Sequence, residues 1–256
     1  MTMTTYVLEN QSTYTDAAHG GPLDDAILAA IAWAAEWSLC GAVDAAGTKQ
    51  APAHTVCGQY GGQAKCMVGE PNAALDAGQV ACIIRDEYPK QPGAGGWHTD
   101  ENGRPAIFIS RQYSTSLTKG AFCLSELVTH EINETEADLG ANLYSDREDG
   151  TEEAFEDCDR VEGDVATAPN GVDVSNFLLK TAFIPGAEGP FDLKGTLTGQ
   201  YDKTDSGYAI LRKDGAYLPD QAKVSHPSQA EKLAHPGSRL ARRIAKLAAQ
   251  SSTSPA

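Results

Sequence analysis

Long apolar runs are missing from this chain. The longest, "AILAAIAWAAEWSL", is broken by Glu36 and preceded by Asp24 and Asp25, too short and too interrupted to span a bilayer. The N-terminus, "MTMTTYVLEN", has neither a basic start nor an apolar stretch, so no secretory signal is read there. The six cysteines form no repeated Cys-x-x-Cys pattern, which argues against a zinc ribbon. Positive charge is scarce: 20 Lys and Arg stand against 35 Asp and Glu, for a net charge of −15. Such an acidic body is a poor surface for phosphate and leaves room for cations. "PGAGG" lacks the Lys-Ser/Thr ending of a phosphate loop, and the acids of 146–153 lack the Asp-x-Asp-x-Asp-Gly register of a calcium loop. No internal repeat is visible.

What remains is an ordinary composition, 41% hydrophobic, in a chain of 256 residues that can bury a substantial core. Residues 223–256 are the exception, because six Lys and Arg there face one acid, Glu231. The sequence divides into 1–140, 141–222 and this basic tail, read as partly disordered and as the one part that could meet nucleic acid. "TTYVLEN" reads as a strand and "PLDDAILAAIAWAAEWSL" as a helix capped by Asp24 or Asp25. "AHTVCGQY", "QVACIIRDEY" and "RPAIFISRQY" read as strands, and "KQPGAGGWHTDENG" as a loop. A second helix is expected from near Lys119 to about Gly140. Short strand-like pieces follow an acidic loop, as in "GVDVSNFLL" and "SGYAILRKDGAY". This order describes an α+β fold with a mixed sheet, an N-terminal helix, a second helix and an irregular C-terminal lobe. A loop disulfide between Cys57 and Cys66 is one option; free thiols are the default.

The second helix carries "LVTHEINETEADLG", residues 127–140. At 100° per residue, His130, Glu134 and Asp138 form one ridge with Glu131 beside it, continuing the apolar stripe of Leu124, Leu127 and Val128. Like charges four residues apart cost about a few tenths of a kcal/mol each unless a cation sits between them. In His-Glu-x-x-His helices the two histidines hold zinc, and the adjacent Glu takes a proton from the attacking water. Here the pattern is His-Glu-x-x-Glu. Carboxylate oxygen is a legitimate zinc ligand, and the change makes the site friendlier to calcium or manganese. The plainer alternative is a solvated acidic helix end with a surface histidine. Ser175 and Cys123 lack the context of a nucleophile and read as structural.

"THEINETEADLGANLY", "AFEDCDRVEGD" and "GVDVSNFLLKTAFIPGAEGPFDLKG" together resemble a family of uncharacterised bacteriophage and bacterial proteins. The resemblance runs from "YVLENQSTYTDAA" to about Tyr217 and is densest over 129–194. The family's pattern is Ser-His-Glu-x-x-Glu-x-x-x-Asp-Pro, then Glu-x-Cys-Asp, Gly-Val-x-Val-Ser-x-Phe and Gly-Pro-Phe-Asp. Leu139 stands where the family has Pro, and Thr99 separates His98 from its Asp. The helix motif is similar to that of zincin metallopeptidases, whose element order also matches. The resemblance implies a metal at His130, Glu134 and a downstream carboxylate, Glu156 first and Asp159 second, with Asp138 on the same ridge. It implies Glu131 as general base, His98 as oxyanion donor or fourth ligand, and Cys158 as a packed thiol. The cofactor expected is zinc, with calcium or manganese as alternatives, and the partner a peptide or protein substrate. The rival expectation is a non-catalytic phage structural or virion accessory protein, meeting other virion proteins. Either would be cytoplasmic or virion-associated, with no membrane partner.

Overall fold

The computed structural model describes residues 3–218 except 90, 92, 102, 103 and 141; the basic tail lies outside the described residues. Its first part runs β1 (Thr4–Asn10), α1 (Asp25–Leu39), β2 (Ala42–Val43), β3 (Lys49–Gln50), α2 (Val56–Tyr60), β4 (Ala64–Gly69), β5 (Gln79–Arg85), β6 (Gly96–Glu101), β7 (Arg104–Ser110) and α3 (Leu124–Ala137). Then come β8 (Tyr144–Asp146), β9 (Glu152–Ala154), β10 (Val165–Thr167), β11 (Asp173–Ser175), β12 (Leu211–Lys213) and β13 (Ala216–Leu218), among 3-10 turns. The α+β expectation with a mixed sheet holds. No helix among the described residues is long and apolar enough to cross a membrane.

A five-stranded sheet carries the first part in the order β4-β1-β5-β7-β6. All neighbours are parallel except β6, which pairs antiparallel with β7 at the edge. Alternation sorts the side chains. Tyr6 and Leu8, Val80, Cys82 and Ile84, and Ile107 and Ile109 join one core with Leu28, Ile31 and Leu39 of α1 and Leu124, Val128 and Ile132 of α3. On the opposite face Trp97 stacks on Phe108 with ring centroids 5.1 Å apart. Directly opposed residues share a face. His98 opposes Ile107 and Gly96 opposes Ile109, so both look toward α3.

Local chemistry explains where the expected elements moved. Asp24 caps α1, accepting the Ile27 N–H at 2.8 Å. "HTVCGQY" is a helical turn instead of a strand, because Thr55 accepts the Gly58 N–H at 3.1 Å and Gly61, at φ 85°, ends the turn. That turn carries Cys57 to the end of α1, where it is disulfide-bonded to Cys40 with Cα atoms 5.2 Å apart. Cys66, on β4, is a free thiol, so the Cys57–Cys66 option is corrected. The second helix starts at Leu124, not near Lys119, since Gly120 at φ 83° and Phe122 at φ 59° cannot continue a right-handed helix. Its first N–H groups are met by loop carbonyls, Leu124 to Ser116 at 2.8 Å and Ser125 to Leu117 at 3.0 Å. His98 sits on strand β6 where a loop was expected, and β4 was not anticipated.

The second part has its own cluster of Val161, Leu178, Ala182, Phe183, Phe191 and Leu197. β11 packs against α3, and a four-stranded sheet runs β13-β12-β9-β8. Arg160 is buried at its centre, with Nε 3.0 Å from Glu153, Nη1 donating to the Gln200 carbonyl at 2.5 Å and Nη2 to Ala182 at 3.3 Å. Removing this guanidinium leaves buried Glu153 with its more distant partner, Arg147 Nη1 at 3.5 Å. We expect Arg160→Ala to cost about 3–5 kcal/mol in a denaturant titration. A loss under about 1 kcal/mol would show that Arg160 does not organise this part.

Candidate metal centre

Three segments deliver the site. α3 supplies His130, Glu131 and Glu134, β6 supplies His98, and the turn at Asp159–Val161 supplies Asp159. That turn is pinned from both sides, by Cys158 in the main core and by buried Arg160 in the second part. The Tyr208 N–H donates to the Asp159 carbonyl at 3.0 Å. Gly207 is required beside it, since a Cβ there would stand 2.1 Å from the Arg160 carbonyl oxygen. β6 approaches α3 closely for a similar reason. A Cβ on Gly95 would meet Leu127 at 3.0 Å, and one on Gly96 would meet the Glu131 side chain at 2.7 Å. The glycines of "PGAGGWH" therefore make room for the helix and its carboxylate.

His130 Nε2 lies 3.2 Å from Glu134 Oε1 and 3.3 Å from Asp159 Oδ1. His98 Nδ1 lies 3.1 Å from Glu131 Oε2 and 3.7 Å from Glu134 Oε2. The donor atoms in each group, His130/Glu134/Asp159 and His98/Glu131/Glu134, lie within 4.8 Å of one another. All five residues are buried, none more than 6% exposed. A ring nitrogen carries one hydrogen and so cannot donate fully to two carboxylates. A cation between them serves all three donors. Ligands about 2.1 Å from a tetrahedral cation stand about 3.4 Å apart, close to the spacing around His130. The donors fit a divalent ion.

The other expected residues are placed differently. Glu156 is buried and its charge bears on Glu134, but Asp159 is the carboxylate that reaches His130. Asp138 ends α3 and accepts the Leu143 N–H at 2.7 Å, a capping role outside both donor groups. Cys158 is buried, with its thiol pKa pushed well up by burial and by Asp157. Ser175 and Cys123 are buried and make local hydrogen bonds, Ser175 to the Asn176 carbonyl and Cys123 with Ser125. Tyr208 was missed. Burial and the charges of Asp159 and Glu162 hold its pKa well above the ordinary phenol value, and its hydroxyl bonds to Asp159. Only its position in "SGYAILRK", read as strand, was visible in the sequence.

No protein-family profile, curated protein or solved structure matches the chain.

Burial dominates the titration of the site. It pulls the His130 imidazolium down, but Glu134, Asp159 and Glu131 together hold its pKa well above the ordinary value. Burial and Asp159 push Glu134 well up against the opposing pull of His130. Burial raises Glu126 to about 7 and Asp157 to about 8. These folded groups bind protons more tightly than the unfolded chain does, so stability falls as pH rises from the ordinary carboxyl range, about 4, through those raised values. A divalent cation works the other way, because its ligands must lose protons to bind. Melting temperatures of chelated protein should therefore fall between about pH 5 and about pH 8, and the gain from added cation should widen over the same range. A chelated protein equally stable at both ends would contradict this.

Proposed function

We propose that the chain is a zincin-like metal-dependent hydrolase acting on a peptide or amide bond. The observation that carries the reading is the convergence of Asp159, from a distant segment, on the His-Glu-x-x-Glu helix at His130 and Glu134. Further support comes from the antiparallel edge strand β6 lying over that helix. His130, Glu134 and Asp159 would hold the cation, zinc by its nitrogen and carboxylate donors, with manganese or calcium as the harder alternatives. A cation held there supplies Lewis acidity and makes water easier to deprotonate.

The chain's own residues do the rest. Glu131, one residue round the helix from His130, takes the proton from water and returns it to the leaving amine. His98 Nδ1, 3.1 Å from Glu131, fixes that carboxylate beside His130. Tyr208, held protonated, offers an O–H on the Asp159 side. The substrate class is a peptide or protein; the phage-family resemblance adds virion proteins as the setting.

The burial of all five side chains favours a second reading, in which the cation is structural and the chain is a virion accessory protein. One set of measurements separates the two. Glu131→Gln should lower cleavage of a mixed peptide library by about 10²–10⁴-fold while the His130 position stays loaded. Undiminished turnover would end the base assignment. Chelation that lowers the melting temperature of a wild type showing no cleavage at any cation load would favour the structural reading.

A further inference from the structure

We propose a second, weaker divalent-cation position at His98, Glu131 and Glu134, sharing Glu134 with the first. This inference rests on the His130 site proposed above. Its geometry repeats that site's pattern, one ring nitrogen before two carboxylates, His98 Nδ1 being 3.1 Å from Glu131 and 3.7 Å from Glu134. Glu134 turns Oε1 to His130 and Oε2 to His98, the disposition of a carboxylate bridging two ions. Two-metal sites place their ions about 3.5–4 Å apart, a span one carboxylate can cover.

The second position is built, not incidental. His98 is 1% exposed and Glu134 1%, on rigid elements. Gly96 shares the His98 face of β6, and its missing side chain is the space that the Glu131 carboxylate occupies, since a Cβ would lie 2.8 Å from Oε1. The wider donor spacing and the shared ligand make this position weaker than the first. Its filling has a chemical consequence. Glu131 donating its lone pairs to a cation cannot also take a proton, so the second ion inhibits the hydrolysis that the first supports.

The test is zinc stoichiometry. Full-length, chelator-stripped protein is dialysed to equilibrium against graded zinc, and bound metal is measured by elemental analysis. Wild type should bind two zinc ions in separate steps. His98→Gln and Glu131→Gln should each bind one, with the second step weakened by more than the about 10–100-fold typical of losing an outer ligand partner. Gly96→Ala should weaken the second step alone. Where His98→Gln does not fold, the isosteric Glu131→Gln gives the same readout. One zinc on wild type, or two retained in both ligand variants, overturns the second position and leaves the first standing. No zinc on wild type overturns both. Peptide turnover should peak after the first step and fall with the second; full turnover with both steps complete would overturn the inhibitory role.

Discussion

Buried negative charge with too few cations to answer it governs this structure. Between α3 and the segment that folds back over it, Glu126, Glu131, Glu134, Asp138, Glu156, Asp157, Asp159 and Glu162 are each at most 9% exposed. Ionised carboxylates are costly to bury without compensation. The chain compensates by several routes. Backbone N–H groups of Phe122 and Gly163 serve Glu126, and that of Leu143 serves Asp138. Burial keeps a proton on Asp157 up to about pH 8. Arg160 is committed to Glu153. His98 faces Glu131 and Glu134, His130 faces Glu134 and Asp159, the Tyr208 hydroxyl bonds to Asp159, and a divalent cation is a further compensation that the spacing fits.

The scaffold holds these groups together at some cost in local freedom. α3 lies close against the start of β6 because Gly95 and Gly96 present no side chain to Leu127 and Glu131. The Asp159 turn holds its position because Cys158 is packed into one core and Arg160 into the other region. The two parts of the chain are thus joined at the residue that completes the donor set.

Much of this was legible in the sequence. The opening "TTYVLEN", the apolar run in "QVACIIR" and the period-two alternation in "RPAIFIS" located three central strands, and Asp24 located the start of α1. The His-Glu-x-x-Glu ridge located the chemistry, since a histidine and acids replacing core residues on an apolar face call for a compensating charge. Other features were hidden for physical reasons. β4 is an edge strand with exposed Met67, so it lacks the apolar signature of its neighbours. Glycines at 93, 95 and 96 read as a loop, yet two of them mark the tight helix–strand contact. Glu156 was placed before Asp159 for its position along the chain after the turn, whereas in the fold the Asp159 carboxylate stands 3.3 Å from His130. Pairing of Cys57 with Cys40 depends on a helical turn that β-branched Val56 disguised as strand.

X-ray absorption at the zinc edge, on protein loaded with one equivalent, tests the cation at His130 most directly. The account predicts a nitrogen and oxygen shell at about 2.0–2.2 Å with the outer scattering of one imidazole and no sulfur. That outer scattering should persist in His98→Gln and vanish when His130→Ala is added to that variant. A sulfur shell at about 2.3 Å, or an oxygen-only shell without imidazole in wild type, would contradict it.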